Sequence, residues 1–166
     1  MMTGEQRDQR FVNDCHSLLN QVDCDFVGLA IQNQKGPDIN WYYAIGNENE
    51  KYKRITVRYG KGIAGKVILT GAPMSIQFFP EHISGKATDY PIMLAEKLIH
   101  SYAAPILCKG SPKGVLLIGR RQGEIFNEGE KEKVQQVAAN MEEWLNSIFV
   151  CYCEKDLLTE GAENNG

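Results

Sequence analysis

The chain has 166 residues, of which 43% are hydrophobic and 23% charged, with a net charge of −3. That length suits one domain with a real core, and the composition is that of a globular protein. The slightly acidic balance excludes nucleic acid and a membrane surface as expected partners, and Arg120–Arg121 are too few to form a basic tract.

In chain order, residues 5–22 put Phe11, Cys15, Leu18, Leu19 and Val22 on one face and predict an amphipathic helix. DFVGLAIQN predicts a strand over 25–32, NQKGPD a turn, and INWYYAIG a second strand over 39–45 in hairpin with the first. GNENEK is a polar loop. ITVRYG predicts a third strand, GIAGKVILTG a short helix stopped by Gly71, and PMSIQ a short fourth strand. Residues 78–90 have little periodicity and read as loop. Pro91, whose missing N–H is harmless in a first helical turn, opens a helix over IMLAEKLI. SYAAPILCK and KGVLLIGRRQ predict two strands at the sheet centre, with a turn at Gly110-Ser111-Pro112. From Asn127 to about Leu158 the pattern is helical. Val134, Val137, Ala138, Met141, Trp144, Leu145, Ile148, Phe149 and Tyr152 form its stripe, and Asn127 with Glu130 forms a capping box. Residues 159–166 are expected to fray.

With no repeat and no linker, residues 1–158 read as a single domain. The order predicts an α+β fold, with a central antiparallel sheet carrying the N- and C-terminal helices on one face. Short helices and loops enclose a ligand pocket on the other. The opening MMTGEQRDQR is polar, and no apolar run approaches the ~20 residues of a spanning helix, so a cytoplasmic location is expected.

Residues 60–67 read GKGIAGKV and satisfy G-x-x-x-x-G-K of the phosphate loop. The hydroxyl that would ligate Mg²⁺ is replaced by Val67. No apolar run ends in a second acidic ligand, and the preceding ITVRYG alternates like a half-exposed strand. A nucleotide site is therefore not expected. Glycines leading into a helix still leave outward backbone N–H groups that another anion could use. Lys66 is expected to face solvent.

The five cysteines, Cys15, Cys24, Cys108, Cys151 and Cys153, form no disulfide framework, and Cys151-x-Cys153 is neither C-x-x-C nor part of a zinc set. His16, His82 and His100 are scattered. No metal or cofactor is expected.

GKGIAGKVILTGAPM and PILCKGSPKGVLLIGRRQGEIFNEGEKEKVQQVAANM resemble a GAF domain over roughly residues 8–148. The pattern is a G-x-G-[IVL]-[AVS]-G turn and helix, a small-Pro strand start, a P-[IL]…GVL hairpin, then F-x-x-x-E into the last helix. INWYYAIGNENEKYKRI, RYGKGIAGKVILTGAPM and DYPIMLAEKLIHSYAAPI narrow the resemblance to the stand-alone nitrate receptors of the bacterial Nre nitrogen-regulation system. That resemblance implies a non-enzymatic nitrate sensor. It would modulate an oxygen-sensing histidine kinase of the NreB type, in a two-component system controlling nitrate and nitrite respiration. A homodimer is open.

The implied nitrate-binding positions are Trp41, Ile63, Ala64 and Ile92, with Tyr90 beside them. Nitrate is a weakly basic, planar monoanion that suits several modest donors in a dry cavity. Arginine forks would favour phosphate or carboxylate instead. The helix starts at Ile63-Ala64 and Ile92 offer backbone N–H groups. Trp41 offers one indole N–H, and Tyr90 its ring or its hydroxyl. Each residue also has a plain packing explanation. The alternatives are a GAF module for another small ligand such as a cyclic nucleotide, a dimerisation module, and a free methionine sulfoxide reductase. The last would need pocket cysteines, and Cys108 lies in a strand.

Overall fold

The computed structural model describes residues 3–165 of the chain, and side chains as far as Asn146. The first helix, α1 (Gly4–Gln21), starts at a capping box. The Gln6 N–H donates to Thr3 Oγ1 at 3.1 Å, and the Thr3 N–H donates to Gln6 Oε1 at 2.8 Å. There follow β1 (Phe26–Gln32), β2 (Ile39–Ile45), β3 (Thr56–Val57), α2 (Gly62–Thr70), β4 (Met74–Ile76), α3 (Pro91–Ala95), β5 (His100–Cys108), β6 (Ser111–Arg120) and α4 (Glu128–Asn165). The strands form one sheet in the order β3-β2-β1-β6-β5-β4, every neighbouring pair antiparallel.

Alternation along each strand divides the core in two. On one face, Val27, Leu29, Leu116 and Ile118 meet Phe11, Cys15 and Leu18 of α1 and Val134, Met141 and Leu145 of α4. On the other, Phe26, Ala30, Val115 and Leu117 meet Ile63, Val67 and Ile68 of α2 and Ile92 and Met93 of α3. Each large side chain so buried contributes roughly 1.5–3 kcal/mol, and both faces need cover. The layering expected from the sequence, terminal helices on one side and the inserted helices on the other, is the one observed.

The boundaries differ where tertiary contacts decide them. The third strand keeps only Thr56–Val57, because the chain turns at once, with the Lys61 N–H donating to the Arg58 carbonyl at 2.9 Å. Helix α3 stops at Ala95 rather than running through Ile99. Lys97 adopts a left-handed φ of 55°, and the Leu98 N–H folds back to the Met93 carbonyl at 2.9 Å. This is a C-terminal stop usually written with Gly. It drops Leu98 onto Gly119, where a Cβ would lie 2.6 Å from Leu98 Cδ1. The β5–β6 turn sits at Lys109–Gly110, both left-handed (φ 51° and 83°), so Ser111 and Pro112 already belong to β6. Short 3₁₀ turns occupy Lys51–Arg54 and Ala87–Asp89, in segments that read as loop.

The capping box of α4 is present, with the Glu130 N–H on Asn127 Oδ1 at 2.8 Å and the Asn127 N–H on Glu130 Oε1 at 2.9 Å. The helix continues to Asn165, past Leu158 and through most of the segment expected to fray. That stretch holds no proline to end it. The stripe from Val134 to Leu145 is buried as expected, while Ile148, Phe149, Cys151, Tyr152 and Cys153 lie outside the described side chains. Among the described residues no helix is long and apolar enough to cross a membrane.

Candidate functional site

Trp41 stands on β2 opposite Ala30, on the sheet face that α2 and α3 cover, and is 3% exposed. Its ring has room because position 28 is glycine. A Cβ there would sit 3.0 Å from Trp41 Cζ3 and 2.9 Å from Phe26 Cε1. The indole N–H donates to no protein acceptor among the described residues.

The turn before α2 explains the glycines of GKGIAGKV. Gly60 and Gly62 hold φ of 81° and 62°, a region that suits residues without Cβ. A Cβ on Gly65 would lie 2.4 Å from the Arg58 carbonyl oxygen, and the Gly60 N–H closes the loop on the Gly65 carbonyl at 3.0 Å. Each glycine thus serves a tight turn, with no phosphate required. The N-cap Lys61 makes no side-chain cap, so the first-turn N–H groups of Ile63 and Ala64 find no acceptor among the described residues. The Ile92 N–H, just inside α3 after Pro91, is in the same state. The two helix starts abut: a Cβ on Gly62 would be 3.4 Å from the Asp89 carbonyl oxygen.

Trp41, Ile63, Ala64, Tyr90 and Ile92 therefore all fall in one buried cluster. Tyr90 contributes its ring, 1% exposed and edge-on to Phe79 at 6.2 Å between centroids. Its hydroxyl is already engaged, donating to the Ser84 carbonyl at 2.9 Å and accepting from Lys66 Nζ at 2.6 Å. Lys66 does not face solvent as expected. Its ammonium lies 4.9 Å from the Tyr90 ring centroid and is half-buried. A long flexible side chain bends to whatever partner the fold supplies, and helical phase alone does not reveal that partner.

Other residues that shape the site carried almost no sequence signal. Glu96, fully buried at the end of α3, accepts from Arg121 Nη2 and from the Glu48 N–H, both at 2.8 Å. Arg121 also donates to the Glu96 carbonyl and the Gly46 carbonyl, each at 2.9 Å. Asn49 Nδ2 adds a bond to the Ala95 carbonyl at 2.9 Å. These contacts clamp α3 to the loop that follows β2. The only hint was a lone acid among apolar residues in IMLAEKLI. His100, also fully buried, accepts the Phe78 N–H on Nδ1 at 3.2 Å, so its Nε2 carries the hydrogen toward the Gly123 carbonyl at 3.0 Å.

The described cysteines sit on the wrong face for chemistry here. Cys15 and Cys108 belong to the core under α1 and α4, and Cys24 packs against it. Burial pushes the Cys15 thiol well above its ordinary range and the Cys24 thiol up to about 12. Arg120 pulls the Cys24 value down only in part. Reactive thiolates need the reverse setting. Beside the site, a groove of about 640 Å³ follows the edge strand β4. Its lining includes Ile76, Phe78, Ser84, Tyr90 and Lys131.

No protein-family model matches the chain, and no curated protein does. Solved structures do. One is the NreA protein of Staphylococcus aureus, mutated in its nitrate-binding site, at 32% identity and a TM-score of 0.67. The match covers 76% of this chain and 96% of that one. Another is the GAF domain of a two-component sensor histidine kinase from Bacillus halodurans, at 14% identity and a TM-score of 0.71, covering 90% and 98%. A third is a type II free methionine-R-sulfoxide reductase from Thermoplasma acidophilum, at 14% identity and a TM-score of 0.62, covering 82% and 89%. At such low identity the last two establish a shared fold and nothing more.

Proposed function

The chain belongs to the NreA family of GAF-domain proteins, and from that premise we propose that it is a nitrate-binding sensor and not an enzyme. Nitrate is held by the Trp41 indole N–H and the backbone N–H groups of Ile63, Ala64 and Ile92, under the ring of Tyr90. The observation that carries this reading is the set of unpaired N–H donors on one buried, apolar cluster. Dry surroundings strengthen each donor, and the start of α2 adds the positive end of a helix dipole. The proposed donors are backbone and indole N–H groups and not an arginine fork, which suits a weakly basic monoanion better than phosphate.

In this reading the signal passes to a sensor histidine kinase of the NreB type and so to control of nitrate and nitrite respiration. The protein needs no cofactor. A methionine sulfoxide reductase is disfavoured because Cys15, Cys24 and Cys108 lie with the core on the opposite face of the sheet.

Small size bounds the affinity. The best tiny ligands gain up to ~1.5 kcal/mol per heavy atom. For nitrate that is a ceiling near ~6 kcal/mol, a Kd of roughly tens of micromolar. Calorimetric titration tests the proposal, with chloride, phosphate and a cyclic nucleotide as controls. Nitrate alone should give micromolar heat. Trp41→Phe, which keeps a ring and removes the N–H, should weaken it about tenfold or more, as expected for a bond to a charged ligand. A folded protein silent toward nitrate would sink the assignment.

A further inference from the structure

One cation approaches this cluster without belonging to the nitrate cradle. Lys66 Nζ reaches the Tyr90 hydroxyl at 2.6 Å, and that hydroxyl donates onward to the Ser84 carbonyl at 2.9 Å. Tyrosine has one hydroxyl hydrogen. Given to Ser84, it leaves oxygen lone pairs for the ammonium, so the chain runs N⁺–H to O–H to O=C in one direction and each bond polarises the next. The ring meanwhile lies within cation–π distance of the same ammonium, 4.9 Å from its centroid.

The contact joins separate parts of the fold. Lys66 belongs to α2, Ser84 to the connection between β4 and α3, and Tyr90 is the N-cap of α3. That connection is tied at its start by the Phe78 N–H on His100 Nδ1 and the Phe79 N–H on the Ile99 carbonyl at 2.8 Å. At its end the Lys86 N–H is on Asp89 Oδ2 at 2.8 Å. Between these ties Glu81, His82, Ser84 and Gly85 are exposed. Among the described residues the Ser84–Tyr90 bond is the hydrogen bond that anchors the segment there to the buried cluster, against which Ile83 also packs.

We propose that Lys66, Tyr90 and Ser84 form a latch that holds residues 79–90 closed over the nitrate site, making Lys66 a positioning residue for a ligand it does not touch. The proposal rests on the nitrate reading above. Ser84 and Tyr90 also line the groove along β4, so the latch has one side at the site and the other at the surface.

The test uses Lys66→Met, Tyr90→Phe and the double variant, each checked for a cooperative melt. Amide hydrogen exchange over 80–86 is read without ligand, and nitrate affinity by calorimetry. Each single variant should speed exchange there, and each should weaken nitrate by about three- to tenfold, the range of one net hydrogen bond. The double variant should be no worse than Tyr90→Phe alone, because without the hydroxyl Lys66 has nothing left to hold. Unchanged exchange in both singles overturns the latch. So does a double variant whose losses multiply, since Lys66 would then act by charge alone. A wild-type protein that binds no nitrate would instead defeat the ligand assignment, and exchange would still judge the latch.

Discussion

Gly28 makes room for the Trp41 indole, the side-chain donor of the proposed nitrate site. In FVGLAIQN it reads as one more strand residue, and nothing local marks it as the floor under Trp41. A methyl group there would meet two aromatic rings at 2.9 and 3.0 Å, closer than real Cβ contacts, so one ring must move. Overpacking of that kind costs about 1–3 kcal/mol. Gly28→Ala is therefore expected to lower the melting temperature and to weaken nitrate binding by turning the Trp41 N–H off line. Melting curves and calorimetry on the same preparation check both. A stable variant with undiminished binding would show that the indole is not held by Gly28.

At the scale of elements, α3 is too short to hold itself in place. Its five residues owe their position to the clamp between Glu96 and Arg121, and Ile92 is presented from the same helix. Glu96 is wholly buried, and its Oε2 finds no partner among the described residues, so the Arg121 guanidinium is what compensates its charge. Removing one member of a buried pair typically costs about 3–5 kcal/mol. Arg121→Met should lose that much in chemical denaturation. Glu96→Gln combined with Arg121→Met should recover part of it, because the stranded charge is gone. Equal losses in the single and double variants would mean the charge is not the cause. The two arginines that looked too few for a basic surface turn out to be internal fasteners. Arg120 likewise spans Asp23, Glu124 and Glu130.

For the molecule as a whole, the sheet separates a core under α1 and α4 from one under α2 and α3. Cys15 and Cys24 lie in or against the first. Because burial raises their pKa, the folded state keeps protons that the unfolded chain releases from about pH 9 upward. Stability from these groups is present below that value and lost as pH climbs toward about 12, where Cys24 ionises in the fold. The wild type should therefore lose more stability between pH 8 and 10 than a Cys15→Ala, Cys24→Ser variant does, as read by thermal melts. Parallel losses would refute it. On the other face, nitrate should slow hydrogen exchange across 78–98, the stretch joining the exposed segment to α3. Exchange unchanged by saturating nitrate would refute a nitrate-dependent ordering of that stretch.

The sequence by itself determined what local physics can encode. Apolar spacing placed α1, α4 and most strands on their correct faces. Asn127 and Glu130 announced a cap, Gly71 a stop, and the glycines around Ile63 and Ala64 an open helix start. Resemblance, more than any residue type, singled out Trp41, Tyr90 and Ile92. Only the tertiary structure decided what depends on partners distant in the chain. It brought two helix starts together, put Trp41 in the same buried cluster, turned Lys66 inward to Tyr90, and buried Glu96 against Arg121. It also ended α3 at a left-handed lysine. Periodicity reports which side of an element is apolar, because neighbours along a helix or strand share that geometry. It does not report where a long polar side chain will find its partner, since that is settled when separate elements pack.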